Sequence, residues 1–184
     1  MSKRQTKIRF FTIADFNEEQ TWLEEQHKKG WKLVKVSMPC FFTFKECEPQ
    51  DVSYRLEFKN NKVSDDYLQM YEDYGWEYIG SFLGWNYFKK TVNVEDVDGE
   101  NEIFSDDESK LNMIDRIIKM RLIPIFVALI PALFLILRSM MTETVFGLES
   151  PMGIASIIII LLALIDIYLI VYCWTKLKKL RNNL

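Results

Sequence analysis

Two long apolar blocks constrain this chain more than any other feature of its sequence. The first covers residues 122–137, and the second covers residues 154–174 and is broken only by Asp166. A helix needs about 20 residues to cross the hydrocarbon core of a bilayer, so the second block is long enough. An arginine that snorkels outward, together with the methionines beyond it, completes the first block. We therefore predict transmembrane helices at residues 122–141 and 154–174, joined by an external loop at residues 142–153.

Basic residues lie on the outer flanks of the two blocks, and residues 139–153 between them have none. The flanking cations are Lys110, Arg116, Lys119 and Arg121 before the first block and Lys176, Lys178, Lys179 and Arg181 after the second. By the positive-inside rule, both termini are expected in the cytoplasm. The expected location is the cell membrane, with two spans in the lipid bilayer and a basic cytoplasmic tail at residues 175–184.

The segment before the first block changes from acidic to amphipathic. Residues 91–109 contain eight acidic residues and neither lysine nor arginine. This composition predicts a flexible acidic linker at residues 93–109, and the alternative is a docking segment for a basic partner. Ser105 and Glu108 form a capping box, and the apolar spacing that follows predicts an amphipathic juxtamembrane helix at residues 110–121.

The first 92 residues contain the same succession of patterns twice. Each half has an alternating strand, a helix, a Gly-Trp pair and an aromatic hairpin that ends in lysine; the pairs are Gly30-Trp31 and Gly75-Trp76. Glycine after a helix favours a left-handed cap, so these pairs are expected to be structural. We predict a cytoplasmic α+β domain at residues 1–92, in which two βαββ pseudo-repeats form one antiparallel sheet with both helices on one face.

The aromatic residues of this domain alternate along its strands. Such a face could stack nucleic-acid bases, but the basic-glycine-aromatic signature of RNA-recognition sheets is missing. Positive and negative charges cancel within residues 1–90. We therefore expect the aromatic side chains to form the core, and we expect no direct binding of nucleic acid.

Asp166 is the one residue whose position demands a physical reason. A carboxylate at the centre of a span costs about 2.5–3.5 kcal/mol. Counted by helical rise, Asp166 is level with Pro131, which frees a backbone carbonyl, and small residues at Ala128, Ala132 and Ala163 would let the spans approach closely. Three roles stay open: a contact within the hairpin, a polar contact with a membrane partner, and proton or ion handling.

No catalytic, metal or nucleotide motif stands out. Cys40 and Cys47 lack the spacing of a zinc site, and His27 is the only histidine. No serine or cysteine is tied to His27 by a known motif. We predict no catalytic residue, no metal and no cofactor, and we expect no concave cleft with convergent polar groups in the first domain.

Several residues of the first domain support a resemblance to a known family. The Arg9-Phe10-Phe11 strand, the run from Lys29 to Leu33, Tyr54-Arg55-Leu56 and the run from Asp73 to Glu77 look like the bacterial family called domain of unknown function 2812. The resemblance covers about the first hundred residues. It implies paired hydrophobic helices after the domain and a gene placed beside a PadR-type transcriptional regulator, but it transfers no catalytic residue.

The function expected from these features is a membrane-anchored, non-enzymatic regulatory or interaction module. It would link a membrane partner or the state of the envelope to a cytoplasmic protein. Two spans cannot build a transport path by themselves. The alternatives are an accessory subunit that stabilises a transporter, and an enzyme with an unrecognised site on the first domain.

Overall fold

The computed structural model describes residues 3–38, 40–59, 63–92, 107–125, 127, 130, 131, 134 and 151–183. The chain divides into two units, Met1–Met113 and Ile114–Leu184, and each is described by itself. Most of the predicted linker and of the predicted external loop lies outside the described residues. The flexible linker and the external loop therefore stay predictions.

The first unit has the succession of strands and helices that the sequence predicts. The elements are β1 (Arg4–Ile8), α1 (Phe16–Lys28), β2 (Trp31–Ser37), β3 (Phe41–Glu46), β4 (Val52–Phe58), α2 (Asp65–Asp73), β5 (Glu77–Phe82) and β6 (Trp85–Thr91). All pairs are antiparallel. In each half the third strand lies at the centre, in the orders β1-β3-β2 and β4-β6-β5. The two βαββ halves therefore share one topology, and the prediction of an α+β pseudo-repeat is confirmed.

The prediction of one continuous sheet is wrong, because the six strands form two three-stranded sheets. The equivalent edge strands β2 and β5 are neighbours in space. Both carry a register shift, between Leu33 and Lys35 in β2 and between Tyr78 and Gly80 in β5. A bulge bends an edge strand and interrupts its row of donors and acceptors. Two such edges cannot form one regular ladder.

The prediction that both helices lie on one face is also wrong for the second sheet. The Tyr87 hydroxyl donates to Oε1 of Glu19 on α1 at 2.8 Å. The next residue, Phe88, stacks on Tyr71 of α2 with the ring centroids 4.1 Å apart. Successive side chains of a strand point to opposite faces. Helices α1 and α2 therefore pack on opposite faces of the β4-β6-β5 sheet.

Aromatic side chains build the core between α1 and the first sheet, as the sequence predicts. Trp22 and Leu23 of α1 are buried. The Trp22 ring lies 4.9 Å from Phe42 and 5.6 Å from Phe44, both on the central strand β3. These edge-to-face contacts are a favourable geometry for aromatic pairs. They hold α1 on the inner face of the β1-β3-β2 sheet.

The same helix also caps the edge of the second sheet with polar side chains. Oε1 of Gln20 accepts a hydrogen bond from the Leu56 backbone N–H, and Oε1 of Glu24 accepts one from Tyr54 N–H, both at 3.0 Å. Four helical residues rise about 6 Å, and two strand residues advance about 7 Å, so the two spacings match. Helix α1 thus takes the place of a missing strand beside β4.

The second unit contains helical segments only, within its described residues. Helix α3 (Asp107–Ile117) begins in the first unit and continues as a π-helical turn, Ile118–Leu122, and α4 spans Pro151–Asn182. Within this unit α4 contacts the π-helical turn, and Arg181 lies 3.7 Å from Asp115. A helix therefore occupies the predicted juxtamembrane segment.

One helix among the described residues is long and apolar enough to cross a membrane, Ile157–Asn182, and its apolar stretch of 18 residues has a mean hydropathy of 2.7. Most of its apolar side chains are exposed, for example Leu164 at 58%, whereas Cys173 and Leu177 near its C-terminal end are buried. An all-round apolar helix requires an apolar environment, which indicates membrane association. Most of the other predicted span, residues 122–141, lies outside the described residues, so a second crossing stays a prediction.

The two equivalent glycines provide a direct test of the repeat. Gly30 has φ +82° and Gly75 has φ +79°. A Cβ atom at Gly30 would lie 3.0 Å from the Cys47 carbonyl oxygen, whereas at Gly75 the nearest atom would be Lys90 Cε at 3.7 Å. Only the first position combines a positive φ with backbone crowding.

We predict that Gly75→Ala lowers the free energy of unfolding by about 1 kcal/mol, and that Gly30→Ala lowers it by about 2 kcal/mol or more. The extra loss arises because the Cys47 carbonyl must shift. Denaturant unfolding of the detergent-solubilised chain, followed by tryptophan fluorescence, measures both values. Equal losses would show that the carbonyl contact is unimportant.

Candidate functional site

A cleft of about 300 Å³ opens where the two repeats meet in the first unit. Both repeats contribute polar side chains to its lining. The residues that carry its chemistry are His27, Lys32, Cys47, Gly75, Glu77 and Lys89. The expectation of a domain without a concave cleft and convergent polar groups is therefore wrong.

The two glycine caps lie beside this cleft. The Gly30 carbonyl accepts a hydrogen bond from Cys47 N–H at 2.9 Å, which holds Cys47 at the end of β3. Gly75 lines the cleft directly. Trp31 is half-buried, whereas Trp76 packs in a buried cluster with Tyr71 and Phe88. The Gly-Trp pairs thus position the walls of the cleft.

A buried histidine forms the floor of the site. His27 is 4% exposed, and its Nδ1 lies 2.9 Å from the Tyr54 hydroxyl. The same hydroxyl accepts a hydrogen bond from Leu33 N–H at 3.3 Å. Burial lowers the pKa of His27, and the positive charges of Lys89 and Lys32 lower it further. The imidazole is therefore neutral at pH 7.

Charged groups of both signs surround the histidine. Nζ of Lys89 lies 2.9 Å from a carboxylate oxygen of Glu77, with the Lys89 side chain 15% exposed and that of Glu77 70% exposed. Lys32 and Glu48 add one charge of each sign. A partner or ligand with polar groups could form charge-assisted hydrogen bonds here. No group of three or more His, Cys, Asp and Glu that could hold a metal occurs within the described ranges.

The residues predicted for the membrane contact lie in the second unit. Asp166 is exposed on α4 and Ala163 is half-buried. Pro131 is helical and exposed. Ala128 and Ala132 lie outside the described residues. The contact between Asp166 and the freed carbonyl near Pro131 stays a prediction.

Glu19 is a residue of the repeat junction that no sequence motif singles out. It lies in the first turn of α1, where a carboxylate interacts favourably with the helix dipole. In the structure Glu19 is 7% exposed and accepts a hydrogen bond from Tyr87. Burial raises the pKa of Glu19 to about 7, despite the hydrogen bond from Tyr87, which lowers it. Its spacing of three and four residues from Trp22 and Leu23 was the available sign of a buried position.

Comparison with known proteins identifies the family. The family model described as "Protein of unknown function (DUF2812)" matches residues 15–126, more than half of the chain. The chain belongs to this family. The DUF2812 match begins just before α1 and includes every residue named above for the cleft. No curated protein and no solved structure matches the chain.

We predict that Glu19→Gln removes part of the pH dependence of stability. The unfolded carboxyl has its ordinary pKa of 4.5 and the folded one about 7. Between these values the native state keeps a proton that the unfolded chain has lost. The free energy of unfolding therefore falls as pH rises from 4.5 to 7, by about 3 kcal/mol from this group.

Thermal unfolding of the detergent-solubilised chain between pH 4.5 and pH 8.5 checks this prediction. The side-chain amide that replaces the Glu19 carboxyl can still accept a hydrogen bond from Tyr87, so the variant should be the more stable chain at pH 8. His27, whose lowered pKa gives the opposite slope, is present in both chains. A difference between the two profiles that does not change with pH would contradict the assignment to Glu19.

Proposed function

We propose that this chain is a membrane-anchored, non-enzymatic regulatory or interaction module. In this proposal the repeat-junction cleft receives a polar group of a cytoplasmic partner, and the apolar helices hold the domain at the membrane. The observation that carries the proposal is the joining, in one chain, of a polar cleft to the apolar helix Ile157–Asn182. The family resemblance implies a gene placed beside a PadR-type regulator, and such a regulator is one partner that we propose.

The sequence around the apolar helix supports the proposed orientation. Four basic residues lie in its last two turns, between Lys176 and Arg181, and none lies in residues 139–153. Together with the apolar block before residue 138, this favours two spans with both termini in the cytoplasm. The cleft would then face the cytoplasm.

The contacts among the side chains of the cleft support the binding of a partner rather than catalysis. Nδ1 of its neutral histidine lies within hydrogen-bond distance of the Tyr54 hydroxyl, and one of its lysines pairs with Glu77. His27 and Lys89 are thus each held in place by a neighbouring side chain, and fixed polar groups suit the recognition of a polar surface. A partner that supplies groups of both charges would match the lining.

A second candidate is an accessory subunit of a transporter, and Asp166 favours it. This residue is exposed on α4 among apolar side chains that are also exposed. A carboxylate in that position is stabilised when a polar group of another membrane helix meets it. The partner would then be a membrane protein.

We predict that a partner co-purifies with the tagged full-length chain from its native membrane. Three variants assign the surface used: Asp166→Leu in the membrane helix, Gln50→Trp at the cleft, and Gln69→Trp as a control. Gln50 lines the cleft, whereas Gln69 is an exposed glutamine on α2. Mass spectrometry of the purified complexes identifies what each variant retains.

A cytoplasmic protein that is lost with Gln50→Trp and kept with Gln69→Trp is the expected result. A membrane protein lost only with Asp166→Leu would favour the accessory subunit instead. No stoichiometric partner with any of the chains would contradict both proposals and would favour the enzyme alternative.

A further inference from the structure

The outer face of the β1-β3-β2 sheet carries an ordered gradient from charged to apolar residues. Strand pairing aligns three cross-strand rows on this face, and they are Arg4–Lys45–Lys32, Thr6–Thr43–Lys35 and Ile8–Phe41–Ser37. The alternate residues Leu33, Phe42 and Phe44 are buried, and Phe42 and Phe44 contact Trp22 of α1, so these residues point inward. The rows therefore lie on the face away from α1.

The first row places three cations directly opposite one another across all three strands. Like charges in directly paired positions destabilise a sheet. The nine positions of the three rows contain no carboxylate. Within the part of the chain that the structure describes, no ion pair involves Arg4, Lys45 or Lys32. This row has an electrostatic cost that an anionic surface would relieve.

The opposite end of the same face is apolar and open to solvent. Ile8 is 64% exposed, and Phe10, two residues further along the chain, is 75% exposed. Side chains of this size are rarely clustered on a surface without a partner. Phosphate backbones of nucleic acids offer nothing to such a cluster, whereas a lipid interface accepts both apolar side chains and cations.

We propose that this outer face docks on anionic lipid headgroups of the bilayer. Arg4, Lys45 and Lys35 would contact the headgroups, with Lys32 at the margin where this face meets the cleft, and Ile8 and Phe10 would enter the interface. The proposal rests on the proposed function in one respect, since the apolar helix must hold the first unit near a membrane. It adds a second membrane contact, made by the soluble domain itself.

Lysine acetylation of the full chain in lipid nanodiscs tests the docking. One set of discs contains phosphatidylcholine alone, and the other contains an equimolar mixture with phosphatidylglycerol. We expect Lys32, Lys35 and Lys45 to react at least about fivefold more slowly in the anionic discs. The scale of this effect follows from the contribution of each basic residue near such a surface, which is about a factor of five in binding. High salt should restore their reactivity.

The variant Lys45→Glu separates docking from folding. It places a carboxylate between Arg4 and Lys32, so the sheet should be as stable as before or more stable. The charge change of two should weaken lipid binding about 25-fold and abolish the protection of Lys32 and Lys35. Lys90→Glu is the control, because Lys90 lies on the second sheet, outside the three rows, and faces Ser53. Protection should persist in that variant.

Three results would overturn the docking. If the three lysines are fully reactive in both kinds of disc, anionic lipid is excluded as the occupant. If they are protected to the same degree in both kinds of disc, the face is assigned to a second copy of the chain. Protection that appears only after single-stranded RNA is added would assign it to nucleic acid. Failure of the chain to enter either disc would instead contradict the membrane anchoring on which the proposed function depends.

Discussion

The edge of β4 is the constraint on which the first unit depends. Its outward N–H groups at Tyr54 and Leu56 would be open donors beside a hydrophobic core. Open strand edges invite pairing with other chains, and buried unpaired donors cost stability. Gln20 and Glu24 of α1 satisfy these donors from the side. A helix that belongs to the first repeat thereby closes the sheet of the second.

This arrangement explains why α1 has polar groups on a face that also carries its apolar anchors. Trp22 and Leu23 pack toward the first sheet, whereas Glu19, Gln20 and Glu24 reach the second. Helix α1 lies between the two sheets, and only a narrow strip of its surface faces solvent. Burial of Glu19 and His27 follows from that position, and so do the directions in which their pKa values move. The cleft opens at the C-terminal end of the same helix.

The local elements of the fold were predictable, because each depends on short-range patterns. The glycine caps, the two helices and the hairpins all have signals within about ten residues. The division into two sheets was not predictable, since it depends on bulges at equivalent places in β2 and β5 and on which edges become neighbours. The opposite placement of α1 and α2 likewise depends on contacts between residues far apart in sequence, such as Glu19 and Tyr87.

The candidate site was not predictable for the same reason, because its chemistry comes from single residues in separate elements that belong to no motif. A pattern found twice in a sequence thus predicts two elements but not the surface between them.

The two sides of the first sheet show how one packing arrangement creates two surfaces. Helix α1 covers the inner face and uses its polar side chains to join the repeats, so nothing from the described part of the first repeat remains to cover the outer face. A cation row on that face has a cost within the domain and a gain only at an anionic surface. In the proposed arrangement the apolar helix keeps the chain at the membrane, so the local concentration of headgroups is high and weak contacts suffice for docking. The same tether therefore makes a modest charge pattern effective, although it would have little effect on a free domain.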